Sequence, residues 1–159
     1  MAEMQPRFRV SEADITDPAV TSILEAHLEF ARRVTPPGHV HALDASGLAS
    51  SDVTTFSLSD GQAVVAIGAL RELSSDHGEI KSMHTVAGER GRGLGRHMAT
   101  ALLEESRRRG YSRVSLETGT MDAFEPARHL YESLGFEVCE PFGDYLPVPN
   151  SVCMTLYLD

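Results

Sequence analysis

The stretch Val86-Ala-Gly-Glu-Arg-Gly-Arg-Gly-Leu-Gly-Arg-His-Met-Ala-Thr-Ala-Leu-Leu103 decides how this chain is read. It has the form of a strand end, a glycine-rich turn, and the first turns of an amphipathic helix. Gly91, Gly93 and Gly95 leave the backbone bare, so its N–H groups can approach a bulky anion closely. The helix that follows adds unpaired N–H groups and the positive end of its dipole. Arg90, Arg92 and Arg96 bring full positive charge to the same spot. A pyrophosphate suits such a turn.

Two familiar phosphate motifs do not fit. A P-loop requires Lys-Ser or Lys-Thr after its last glycine, and Arg96-His97 follows Gly95. A dinucleotide fingerprint needs a third glycine where Arg96 stands. The pattern that does fit is Arg90-x-x-Gly93-x-Gly95, which resembles the coenzyme A pyrophosphate signature of the GNAT acetyltransferase superfamily. Downstream, Ala127-Arg-His-Leu-Tyr-Glu-Ser-Leu-Gly-Phe136 is similar to that superfamily's A-x-x-L-Y-x-x-x-G-F segment, a helix running into a strand. The resemblance is strongest from Gly78 to Leu158. It extends to a bacterial subgroup through Pro36-Pro37, Val40-His-Ala-Leu-Asp44, Leu116-Glu-Thr-Gly119 and Asn150-Ser-Val152. That subgroup implies no particular acceptor.

Composition narrows the classes. A chain of 159 residues is read as one domain, residues 1–159, able to bury a real core. Hydrophobic residues at 42% and charged residues at 23% are ordinary for a water-soluble globular protein. No apolar run approaches the ~20 residues of a membrane span, and the N-terminal Met1-Ala-Glu-Met-Gln-Pro-Arg7 lacks a signal-peptide core. A net charge of −9 argues against a nucleic-acid surface and tilts the choice of small substrate toward cations. Cys139 and Cys153 are read as reduced thiols, although a disulfide between them stays open. The histidines show no zinc-type spacing, and the His39-x-His41 pair is read as structural. The expectation is a cytoplasmic protein without a metal.

Periodicity supplies the elements. Arg7 to Val10 reads as a first strand. Asp17-Pro18 opens a helix that runs to about Val34, with Val20, Ile23, Leu24, His27, Leu28 and Ala31 on one face. Asp44 to Leu48 forms a second short helix. Val53–Leu58 and Gln62–Leu70 are strands about a Ser59-Asp60-Gly61 turn. The polar stretch Glu72 to His77 turns the chain into a strand from Glu79 to Val86. Leu94 to Arg109 is the main helix, whose final Arg107-Arg108-Arg109 complements its dipole and which Gly110 stops. Arg113–Glu117 is a strand, Phe124–Leu134 a helix, and Phe136–Cys139 and Val152–Leu158 are closing strands. This order is α/β. It matches what the resemblance implies, a GNAT fold with a mixed, mostly antiparallel central sheet flanked by helices.

The same resemblance implies the chemistry: an N-acetyltransferase moving an acetyl group from acetyl-CoA to a primary amine. Direct attack in a ternary complex is expected, because neither cysteine lies at a matched active-site position. His84, Thr85 and Val86 would line the pantetheine arm through main-chain groups, and Gly91, Arg92, Gly93, Leu94, Gly95 and Arg96, with Arg90, would hold the pyrophosphate. Many relatives carry asparagine seven residues before the motif tyrosine; here that residue is Phe124, so packing replaces a hydrogen bond. Tyr131, at the motif position, is the candidate general acid, since a phenol is protonated at neutral pH. Its structural alternative is core packing, on the stripe of Ala127, Leu130 and Leu134, and its place in the motif tips the reading toward function. Glu79, eleven residues before Arg90, is the candidate base; a strand carboxylate paired with Lys81 is its structural alternative. Glu117 is the second candidate, placed by the acceptor pocket. His84 is a third titratable group there, and ordered water is a further possible base. Asp122, Glu125, Asp144 and Tyr145 belong to loops that could shape the acceptor pocket. A small-molecule amine is the expected partner, with a protein acceptor and a homodimer left open. The rival reading is a non-catalytic acyl-CoA sensor.

Overall fold

The computed structural model describes residues 8–36, 43–143, 145 and 149–158. The His39/His41 pair and Asp144 lie outside these residues. Element order follows the periodicity: β1 (Phe8–Glu12), α1 (Pro18–Val34), α2 (Ala45–Leu48), β2 (Val53–Asp60), β3 (Ala63–Ser74), β4 (His77–Thr85), α3 (Leu94–Arg108), β5 (Arg113–Gly119), α4 (Glu125–Ser133), β6 (Glu137–Cys139) and β7 (Ser151–Tyr157).

Local chemistry sets most boundaries. Asp17 accepts a hydrogen bond from the Ala19 N–H at 3.0 Å, and Pro18 takes the first helical position of α1; such a cap is worth about 1 kcal/mol. Asp44 caps α2 in the same way through the Gly47 N–H at 2.9 Å. Two hairpins are longer than the polar residues suggest. β2 continues through Asp60, so its turn is Gly61-Gln62, and β3 runs on to Ser74, leaving only Ser75 and Asp76 as the turn. Cross-strand pairing extends through Glu72↔Gly78 and Ser74↔His77, which overrides the polarity of that segment.

The strands form one sheet in the order β1-β2-β3-β4-β5-β7-β6. Every neighbour is antiparallel except β4 and β5. One face packs on α3 and α4 through Leu70, Ile80, Met98, Leu102, Val114 and Tyr131. The other packs on α1 and α2 through Val20, Leu24, Leu48, Ile67 and Ala69.

Two irregularities in β4 position the site. The parallel pairing with β5 runs from His77↔Arg113 to Ile80↔Leu116 and then stops, while β4 continues to Thr85 and β5 to Gly119. The strands part. Just past that point β4 carries an extra residue: Ala69 pairs with Lys81 but Ile67 pairs with His84, leaving Ser82 and Met83 opposite Gly68. Ser82 takes a left-handed φ of 56°. A bulge bends its strand and increases local twist, which turns β4 away from β5 and opens the sheet.

Candidate active site

A cleft of about 600 Å³ passes through this opening. Cross-strand partners project to the same side of a sheet, so His84 shares the α1 face with Ile67, and Glu79 shares it with Arg71. From that face His27, Phe30 and His84 line the cleft; from the opposite face Leu94, Met98, Leu130 and Tyr131 do. The cleft therefore spans both faces of the sheet.

At its mouth lies the glycine turn. Gly91 and Gly93 have φ of 85° and 76°, and Gly93 immediately precedes α3. A Cβ at either would meet nothing within 4 Å, so the turn faces open space. The first N–H groups of a helix have no intrahelical partner, and those of α3 lie at this turn. Arg90 reaches across with its Nε donating to the Thr85 carbonyl at 3.3 Å and its guanidinium 5.8 Å from the Phe30 ring centre. Arg96 donates to Ser133 Oγ on α4. Thr85, Arg90, Gly91, Gly93, Leu94, Gly95 and Arg96 all line the cleft.

Arg92 and Val86 do not. Arg92 turns back to Asp60 at 3.1 Å, pairs with Glu89, and covers the Phe8 ring. Val86 packs with the α1-side core, its N–H bonded to the Val65 carbonyl.

Tyr131 is 5% exposed and packs edge-on to Phe136 at 5.7 Å. Its hydroxyl donates to no described residue, and burial holds the phenol well above its ordinary range. It stays protonated, with a proton to give. Phe124 sits beside it in the cleft, edge-on to Phe30 at 5.5 Å.

The carboxylates lie elsewhere. Glu79 is 1% exposed, on the α1 face, and lines a smaller cavity of about 200 Å³ with Arg71, Lys81 and Tyr145. Its Oε2 accepts from the Tyr145 hydroxyl at 2.6 Å and from Lys81 Nζ at 3.2 Å. Lys81 also donates to the Tyr145 oxygen at 2.6 Å. Glu79 Oε1 is buried and accepts nothing from a described residue. Burial and the neighbouring Glu79 charge push the Tyr145 phenol up. Glu117 Oε1 accepts from Ser151 at 2.8 Å, and its charge also reaches Tyr145.

His84 has a partner that periodicity on α1 assigned only to a helix face. His27 Nδ1 lies 3.2 Å from His84 Nδ1, with the rings edge-on. Burial lowers both to about 4, helped at His27 by His84 and Lys81 and at His84 by Arg90. Near neutral pH both are uncharged. A histidine within the apolar stripe of α1 was the available signal for His27, and the spacing to Glu79 the signal for Lys81, which does pair with it; Arg71 and Phe30 gave none.

The cysteines are free and face each other as Cys139↔Cys153 on β6 and β7, outside the cleft. Burial raises Cys153 to about 11. Among the described residues there is no group of three His, Cys, Asp or Glu side chains arranged for a metal, and no helix is long and apolar enough to cross a membrane.

The comparisons with known proteins agree with this geometry. Residues 20–136 match the Acetyltransferase (GNAT) family. The chain is 46% identical over 142 residues to YsnE of Bacillus subtilis, named an uncharacterized N-acetyltransferase, covering 89% of this chain and 94% of that protein. Among solved structures it resembles a putative acyl-CoA N-acyltransferase from Klebsiella pneumoniae, with TM-score 0.77 at 24% identity, covering 96% of this chain and 98% of that one. It also resembles yncA of Salmonella typhimurium, crystallised with its cofactor acetyl-CoA, with TM-score 0.70 at 19% identity, covering 97% and 95% of the two chains. With the parted strands, the glycine turn and this match over most of its length, the chain belongs to the GNAT family of acetyl-CoA-dependent acetyltransferases.

Proposed function

We infer that this chain transfers the acetyl group of acetyl-CoA to a primary amine by direct attack in a ternary complex. One observation carries the reading: a single cleft joins the glycine turn to the Tyr131 hydroxyl and passes through the sheet to the α1 face. The turn suits a pyrophosphate, through the backbone at Gly91 to Gly95 with Arg90 and Arg96 as countercharge. Beyond the last paired residues, the β4 edge at His84 and Thr85 suits an extended amide-bearing arm.

The amine lone pair attacks the thioester carbonyl, a C–N bond forms, and the C–S bond breaks. Tyr131 gives its proton to the departing sulfur, and burial keeps it protonated until then. The ammonium form first gives one proton to a carboxylate on the α1 face to free its lone pair, and the proton released as the C–N bond forms returns to the Tyr131 oxygen. For the carboxylate, Glu79, with one unbonded oxygen, is the first choice and Glu117 the second. Direct attack is supported by the cysteines, which lie outside the cleft, Cys153 with a raised pKa.

The test is thiol release from acetyl-CoA across a broad amine panel, with no-amine and Tyr131→Phe controls. Amine-dependent release that falls in the variant is the expected result. Bound coenzyme with no release for any amine, including peptides, would favour a sensor.

A further inference from the structure

The cavity on the α1 face is lined by a buried acceptor without a donor and by a partly exposed cation, two groups of opposite character. Glu79 Oε1 is a buried acceptor with no donor from a described residue. An interior carboxylate oxygen left bare is costly, so its complement is an N–H. Arg71, the cross-strand partner of Glu79, lines the same cavity. Its Nε donates to Asp52 at 3.0 Å, and Asp52 is itself steadied by Ser50. The terminal amino groups of Arg71 donate to no described residue. Their complement is a carboxylate, which a guanidinium grips through two parallel bonds.

Charge points the same way. Arg71 and Lys81 balance Glu79 and Asp52, so the four residues carry no net charge. A lone ammonium or a lone carboxylate would leave one of them uncompensated; a zwitterion leaves none. Cross-strand Cβ atoms are about 5 Å apart, which suits an amine and a carboxylate carried on the same or neighbouring carbons. A volume of about 200 Å³ is the room of roughly seven waters at ~30 Å³ each, enough for a short side chain. The cavity lies along the same strand as the cleft: Lys81, which lines the cavity, follows the last β4–β5 pair and stands three residues before His84, which lines the cleft.

We propose that the acceptor is a small amino acid or a close analogue, its amine on Glu79 Oε1 and its carboxylate on the terminal amino groups of Arg71. This rests on the transferase reading above and narrows it. Arg71 thereby selects the substrate, while Glu79 takes the proton that the ammonium must lose before attack.

The experiment compares matched pairs of acceptors: L-alanine with ethylamine, L-leucine with 3-methylbutylamine, and β-alanine with propylamine. Thiol release at saturating acetyl-CoA gives kcat/KM for each. At least one acid should exceed its amine by about 10-fold or more, and Arg71→Gln should collapse that ratio toward one through KM. Arg71→Lys keeps the charge but loses the fork, and should also reduce the ratio, which covers the case of a poorly folded glutamine variant. Equal turnover of acids and amines, or a preference that survives both substitutions, overturns the proposal and leaves the transferase standing. Failure of all six acceptors with release to another amine of the broad panel overturns the proposal and leaves the transferase standing; failure of every amine, peptides included, while coenzyme A still binds removes both.

Discussion

His27 Nδ1 and His84 Nδ1 stand 3.2 Å apart at the inner end of the cleft, joined across 57 positions of sequence. One ring donates and the other accepts, so the accepting Nδ1 carries no proton. Burial holds each at about 4 against an ordinary 6.5. Between those values the unfolded chain binds more protons than the fold, so stability rises with pH. The stability of the neutral pair is fully present above pH 6.5 and drains away as pH falls toward 4. Urea midpoints measured between about pH 7 and 5 should fall, and His27→Gln should flatten that slope. An unchanged slope in the variant would mean that the pair titrates like free imidazoles.

Tyr131 offers a separation of chemistry from binding. Phenylalanine keeps the edge-on contact to Phe136 and the apolar lining of the cleft, and removes only the hydroxyl. A general acid contributes about 100-fold or more, so kcat for amine acetylation should fall by that order. Coenzyme A affinity, read by calorimetry, should stay within about twofold. An equal loss in both measurements would assign the tyrosine to packing.

What the sequence made legible was local, and what it hid was tertiary. The cap at Asp17-Pro18 and the glycine turn before Leu94 depend on residues a few positions away, so α1 and the start of α3 fall where their chemistry puts them. The bulge at Ser82 has no such signature: serine does not announce a positive φ, and only the register between β3 and β4 exposes it. Glu79 is legible as a carboxylate before the turn. Its burial depends on Tyr145, 66 residues further on. Arg92 looks equivalent to Arg90 and Arg96 along the chain, yet Asp60 on β2 draws it off the cleft.

Gly119 ties the fold to the site. A Cβ there would lie 2.7 Å from Phe124 Cε2, and the Phe124 ring is held edge-on by Phe30 within the cleft. The Gly119 carbonyl also accepts from Arg128 at 2.8 Å, so the backbone is anchored on its other side. Gly119→Ala must push the ring rather than the strand. Overpacking of this kind costs about 1–3 kcal/mol, to be read from urea unfolding, and coenzyme A binding should weaken as the ring moves into the cleft. Unchanged stability and affinity would show that Phe124 has another place to go.

The three arginines of the turn should separate in a binding assay. Arg90 and Arg96 line the cleft, and each replaced by alanine should weaken coenzyme A by about 10- to 100-fold, the worth of a charge-assisted bond. Their effect should shrink as salt is raised, because charges at an open mouth are screened. Arg92 is committed to Asp60, Glu89 and the Phe8 ring, so Arg92→Ala should change affinity by no more than about threefold. Calorimetry at low and high salt measures all three. If Arg92→Ala costs as much as the others, then the arginine leaves Asp60 when the pyrophosphate arrives. In that case the turn reorganises on binding, and its resting geometry is a latched form of the site.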